Sequence, residues 1–209
     1  TSLLLPGHRG FIAHAKFSPD GRWLVTGGWD QITRVWDMSK NLPTHSPVIL
    51  RGPNDVTSAD LSADDRWLAV GYGSGAQLVW DLKAPGEPPT KFREHHRRIL
   101  KTKISGDGRW IVTGGEDYAA RLLDRNSGQP PQLFAEGLTR LAAVDISKDG
   151  HWVVAGRRDG GVLLRNLSEA GADRTLTGLS DPAISLEFSA DSRLLAMGCR
   201  DGSVAILDL

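Results

Sequence analysis

The tetrapeptide Asp20-Gly21-Arg22-Trp23 returns along the chain, and this recurrence restricts the fold more than any other feature. It reappears as Asp64-Asp65-Arg66-Trp67, Asp107-Gly108-Arg109-Trp110 and Asp149-Gly150-His151-Trp152, and in degraded form as Asp191-Ser192-Arg193-Leu194. The last positions, 23, 67, 110, 152 and 194, lie 44, 43, 42 and 42 residues apart. A fixed period of this size marks stacked supersecondary units, none of which can bury its apolar surface alone.

Each copy has the same anatomy. A segment alternating apolar and polar residues comes first, as in Ala15-Lys16-Phe17 or Val144-Asp145-Ile146. Alternation with period two is the pattern of a half-buried strand. A Ser-x-Asp-Gly turn follows, suited to Asp because it bonds nearby backbone and to Gly because it accepts positive φ. Next come a second strand such as Trp23-Leu24-Val25-Thr26, a tight turn ending at Asp30, Asp117, Asp159 or Asp201, and a third strand such as Thr33-Arg34-Val35-Trp36. A fourth apolar segment precedes the next copy: Pro47-Val48-Ile49-Leu50, Lys91-Phe92, Gln132-Leu133-Phe134 and Thr175-Leu176. No window has helical periodicity with caps. The chain therefore reads as all-β, in four-stranded antiparallel units spanning 7–50, 51–93, 94–135, 136–177 and 178–209, with a further strand from Ser2 to Pro6.

Lys plus Arg and Asp plus Glu number 25 each in 209 residues, so the net charge is zero. That gives no overall pull toward nucleic acid or an anionic membrane. The lone Cys199 cannot form an internal disulfide, which suits a reducing, cytoplasmic setting. No apolar run approaches the roughly 20 residues of a membrane helix. The start, Thr1 to Pro6, is too short for a secretory leader and lacks Met, which reads as a piece of a longer protein.

Two units end in Trp-Asp, at Trp36-Asp37 and Trp80-Asp81, and the first opens with Gly7-His8. With the period and the turns, these residues resemble the WD-repeat (WD40) β-propeller family along the whole chain. The resemblance implies a propeller of five WD-type blades, either a closed five-bladed ring or an arc cut from a larger ring, with the arc favoured. In the closed ring, Ser2 to Pro6 would supply the fourth strand of the last blade. The family also carries a buried hydrogen-bond chain of His, Ser or Thr, Asp and Trp within a blade. His8, Thr26, Asp30 and Trp36 match it at all four positions, and His95, Thr113 and Asp117 match at three, with Leu123 in place of Trp. The other blades depart from the pattern, at Ser74, Ala155, Arg165, Met197 and Leu207, and are expected to rely on apolar packing.

No nucleophile–base, paired-Cys or metal-ligand spacing is present, and neither a cofactor nor an enzymatic activity is expected. Gly71-Tyr72-Gly73-Ser74-Gly75 precedes no helix and is a turn. In relatives of this fold partners dock on the narrow, top face. The residues expected there are Phe11, Trp29, Arg98, Glu116, Arg140, Arg158 and Arg200. Arg and Trp are common interface anchors, and Arg grips carboxylate or phosphate bidentately. The expected function is a non-catalytic protein-interaction scaffold or sensor module. It would bind a protein or peptide, acidic or phosphorylated, from within a larger protein resembling bacterial signalling proteins that carry such arrays. Two alternatives stay open: a small-ligand or enzymatic propeller, and nucleic-acid binding by the basic segment 91–103. The second is disfavoured because only Phe92 is interleaved with the charges.

Overall fold

A computed structural model describes residues 4–39, 47–93, 95–137, 139–168 and 173–209. Among them the regular structure is nineteen β-strands with no helix. The first sheet holds β1 (Ile12–Phe17), β2 (Trp23–Gly28), β3 (Ile32–Asp37) and β4 (Val48–Arg51). The second holds β5 (Val56–Leu61), β6 (Trp67–Tyr72), β7 (Ala76–Asp81) and β8 (Thr90–Arg93). The third holds β9 (Ile99–Ile104), β10 (Trp110–Gly115), β11 (Ala119–Asp124) and β12 (Gln132–Glu136). The fourth holds β13 (Leu141–Ile146), β14 (Trp152–Arg157), β15 (Val162–Asn166) and β16 (Arg174–Leu176). The fifth has three strands, β17 (Ala183–Phe188), β18 (Leu194–Cys199) and β19 (Val204–Asp208). All five are antiparallel meanders in chain order. The segment expected to add a strand to the fifth, Ser2 to Pro6, lies partly outside the described residues, and Leu4, Leu5 and Pro6 are not in a strand.

The recurring tetrapeptide has a physical reason. In every blade the turn Asp accepts the hydroxyl of the Ser two residues before it, and that Ser oxygen accepts the first N–H of the second strand. The sets are Ser18/Asp20/Trp23, Ser62/Asp64/Trp67, Ser105/Asp107/Trp110, Ser147/Asp149/Trp152 and Ser189/Asp191/Leu194. The turn needs a left-handed residue after the Asp, with φ from 55 to 75° at Gly21, Asp65, Gly108, Gly150 and Ser192. The Arg that follows lies over its own Trp ring in three blades, 4.6–4.8 Å from the centroid. The same arginines reach the Asp that ends the third strand: Arg66 to Asp81 and Arg109 to Asp124, both at 2.8 Å. The Asp of Trp80-Asp81 is thus a structural partner on a solvent-facing edge.

The first strands β1, β5, β9, β13 and β17 stand side by side, each in contact with the next. β5, β9, β13 and β17 also lie across the preceding sheet, and the buried residues form four clusters, one at every blade-to-blade interface. A β-bulge at the start of each first strand, such as the one between Ile12 and His14, shifts its register against the second strand. Where the five inner strands converge, Lys16, Asp60, Lys103, Asp145 and Glu187 line one cavity of about 130 Å³.

Candidate partner-binding face

Two blades hold a buried polar network beneath the top loops. In the first, Trp36 Nε1–H donates to Thr26 Oγ1 at 3.0 Å, Thr26 lies 2.9 Å from His8 Nε2, and His8 Nδ1 lies 3.0 Å from Asp30. Arg34 Nη1 lies 2.7 Å from the same Nδ1 and 3.1 Å from Asp30, so imidazole, guanidinium and carboxylate form one cluster. In the third, His95 Nδ1 is 2.7 Å from Asp117 and Nε2 is 2.9 Å from Thr113. Leu123 takes the place of the Trp and is buried.

Each network has a member that the family pattern does not contain. Arg34 donates to Asp30 at 3.1 Å and to the Gly7 carbonyl at 2.7 Å, and Arg121 donates to Asp117 at 3.0 Å. Burial opposes ionisation of Asp30, but bonds from His8, the Arg9 N–H and Arg34 outweigh it and hold its pKa down to about 2. Asp117 is lowered in the same way, burial being overcome by His95 and Arg121, whereas burial lowers His95 and favours its neutral form.

The second and fourth blades fill the His site from a different strand. At the register of Gly28 and Gly115 stand Tyr72, Arg157 and Cys199. A Cβ on Gly28 would lie 2.8 Å from His8 Nδ1, so a blade with the His needs glycine there. Where Gly52 replaces the His, Tyr72 occupies the space and is fully buried, with its pKa pushed up to about 12 by burial. Where Gly137 replaces it, Arg157 enters, paired with Asp159 at 3.2 Å and donating to the Glu136 carbonyl at 3.2 Å. This corrects the expectation of purely apolar packing in the fourth blade: an Arg–Asp pair stands in for His–Asp. Sequence reading missed Arg34, Arg121 and Arg157. The available signal was their register, since Arg recurs at 34 and 121 only in the two blades that keep the His.

Above these networks every blade closes its top loop with one backbone bond, from the residue after the second strand to the segment before the first. The bonds are Trp29 N to Phe11 O at 2.9 Å, Gly73 N to Asp55 O at 2.9 Å and Glu116 N to Arg98 O at 2.8 Å. Arg158 N to Arg140 O and Arg200 N to Pro182 O follow, both at 3.0 Å. The expected top-face residues therefore meet in pairs within a blade. Phe11 and Trp29 are 67% and 55% exposed, with ring centroids 5.3 Å apart. The four arginines are not equivalent. Arg98 pairs with Asp55 at 3.3 Å and Arg200 with Asp181 at 3.2 Å. Arg140 and Arg158 are exposed and make no ion pair among the described residues, and neither does neighbouring Arg97.

The basic segment 91–103 does not form one face. Lys91 and Arg93 lie on the outer strand β8, Arg97 in a top loop, and Lys101 and Lys103 on the inner strand β9. Lys103 is tied to Asp145 at 2.9 Å in the channel. Among the described residues no three His, Cys, Asp or Glu side chains gather as metal ligands, and no helix is long and apolar enough to cross a membrane.

Comparison with known proteins agrees with this architecture. The family model described as WD domain, G-beta repeat, matches residues 2–37, 86–124 and 172–208, together more than half of the chain. A curated relative, the periodic tryptophan protein 2 homolog of Neurospora crassa, is 37% identical over 46 residues. That match covers 22% of this chain and 5% of the relative. With its repeat period, its stacked four-stranded blades and its two His–Thr–Asp networks, the chain belongs to the WD40 family.

Proposed function

We propose that the chain is a non-catalytic protein-interaction platform whose top face takes an acidic or phosphorylated segment of a partner protein. The carrying observation is the difference among the top-face arginines. Arg98 and Arg200 are neutralised by Asp55 and Asp181, whereas Arg140 and Arg158, joined by a backbone bond, face solvent without a counter-ion among the described residues. Arg97 on the adjacent blade extends this patch, and the Phe11–Trp29 pair offers apolar contact on the first blade. With a net charge of zero, the attraction is local to this sector. The curated relative is far longer than the stretch it shares, which supports a role as one module of a larger protein. A reducing, cytoplasmic setting suits the buried thiol of Cys199.

The test is an array of acidic and phosphorylated peptides probed with the chain. Charge-assisted contacts contribute about 1.5–3 kcal/mol each when shielded from water. Joint reversal of Arg140 and Arg158 to Glu should therefore abolish binding, while Arg22→Glu on the opposite edge leaves it unchanged. Retention of the same peptides by the double reversal would refute the assignment.

A further inference from the structure

The fourth blade departs from the first at three positions that coincide in space. In the first blade His8 joins the Thr26 hydroxyl to Asp30, and Arg34 joins the same carboxylate. Thr26 pairs with Arg34 across β2 and β3 as Ala155 pairs with Leu163 across β14 and β15. Gly137 takes the register of His8. An imidazole, a hydroxyl and a guanidinium are thus exchanged for glycine, alanine and leucine. In the second blade Tyr72 fills the same space. In the fourth a cavity of about 160 Å³ lies between β12 of the third blade and β14 and β15.

The cavity has an apolar wall and a charged one. Phe134, Ala155 and Val162 are buried, and Leu163 is half-buried beside them. Arg157 brings a guanidinium to the lining, and two glycines make room for it. A Cβ on Gly137 would lie 2.9 Å from Arg157 Cδ, and one on Gly161 2.5 Å from Nη2.

The bonds of Arg157 use little of its fork. Nε donates to Asp159 at 3.2 Å, Nη1 donates to the Glu136 carbonyl at 3.2 Å, and Nη2 has no bond among the described residues. Asp159 also accepts the Gly161 N–H at 3.0 Å. Arg165, at the register of Trp36, lies over the Phe134 ring at 4.9 Å from its centroid and is paired with Asp173, so its charge is already matched.

We propose that this cavity binds a small aromatic carboxylate, one ring of benzoate size. The ring lies against Phe134, Ala155, Val162 and Leu163. The carboxylate takes Nη1 and Nη2 of Arg157 side by side, while Nε keeps Asp159. A cavity of about 150 Å³ is enough to hold a benzene ring. The paired N–H groups at the end of a guanidinium match the two oxygens of a carboxylate. The site adds small-molecule binding to the interaction platform and does not depend on it.

The test is a titration of the chain with sodium benzoate, read by the unfolding midpoint and by methyl resonances in NMR. The dissociation constant should be on the order of 1 mM for a ligand of this size. At about 20 mM benzoate the midpoint should then rise by about 3 °C or more. Resonances of Val162 and Leu163 should move with the same saturation. Acetate, which lacks the ring, and benzyl alcohol, which lacks the charge, should bind at least about 10-fold more weakly. Benzylamine is the opposing probe, because the exposed residues Glu136 and Asp159 adjoin Arg157. It should not bind. Ala155→Leu, which extends a side chain into the cavity, should abolish the benzoate response. Arg157→Lys keeps the charge without the fork and should weaken binding about 10-fold or more. The probe comparisons use the unaltered chain, so they hold whether or not either variant folds. Absence of a saturable shift at Val162 and Leu163 overturns the proposal, as does equal binding of benzyl alcohol or benzylamine, or a response unchanged in folded Ala155→Leu. Shifts centred on Arg140 and Arg158 overturn it too, since the anion would then sit on the top face and the proposed function would stand without this site.

Discussion

Asp30 is a buried acid surrounded by donors, and its behaviour follows from that. Its pKa lies near 2 in the folded chain and near 4 once its partners are gone. The stabilisation it contributes is complete above the unfolded value and disappears as the pH falls from about 4 toward 2. Asp30→Asn should therefore cost about 2 kcal/mol at pH 7, with the gap to the parent closing below pH 4 in urea titrations. A gap independent of pH would mean that the carboxylate charge contributes nothing. Asp65 has the opposite sign. It takes the left-handed turn position that glycine holds in three blades, and burial plus the adjacent Asp20 push its pKa up to about 6. A raised acid favours the folded state in acid and penalises it as the pH rises from about 4 through 6. Asp65→Gly should stabilise by about 1 kcal/mol at pH 4, through relief of the backbone, and by more at pH 7. An equal or negative effect at pH 7 would contradict this account. The positions of His8, Thr26, Asp30 and Trp36 were legible because one family pattern names them. The neutralisation of Arg98 was not, since Asp55 lies 43 residues away and only the stacking of blades brings them together.

At the scale of the strand, turn chemistry and the alternation of first strands such as β9 were enough to locate the elements, while β6, β10 and β14, buried on both faces, read as continuous apolar runs between turns. Two features escaped that reading. The bulge at each first strand leaves no mark, since one extra residue in an alternating run looks like a continued run. The glycines of the second strands look like weak points in a sheet, yet Gly27 and Gly71 are holes that the next blade occupies. Gly71→Ala should therefore cost about 1–3 kcal/mol, because Ile99 and the Thr102 hydroxyl have nowhere to move between packed sheets. Gly198→Ala, identical in sequence terms but with a Cβ that meets only Ser185 of its own blade, should lie within about 0.5 kcal/mol of neutral. Denaturant midpoints of the two variants decide this, and equal costs would show that strand entropy, not interlocking, explains these glycines.

Across the described residues, stability is a sum over neighbours, since the main contacts between blades run between those next to each other in the chain. The second, third and fourth blades are covered on both faces, and the first and fifth on one. The fifth has one strand fewer than the others and exposes Ile184, Val204 and Ile206, and the first exposes Ile12 and Phe17. The fifth blade is still held inward by Asp145, which is 6% exposed and accepts the Phe188 N–H at 2.8 Å while paired with Lys103. Burial raises the pKa of Asp145, and Lys103 with the Phe188 and Ile146 N–H groups opposes the shift. Loss of Asp145 removes a support shared by three blades, and breaking a buried pair costs about 3–5 kcal/mol. Native-state hydrogen exchange should then give graded protection: highest in β6 and β10, lower in β2, lowest in β18 and β19. Asp145→Ala should lower protection in β17 to β19 further while leaving β2 and β3 unchanged. Uniform protection across all five blades, or an equal loss in the first and fifth on removing Asp145, would show that the array unfolds as one cooperative unit and that the acid acts globally rather than as a link between neighbours.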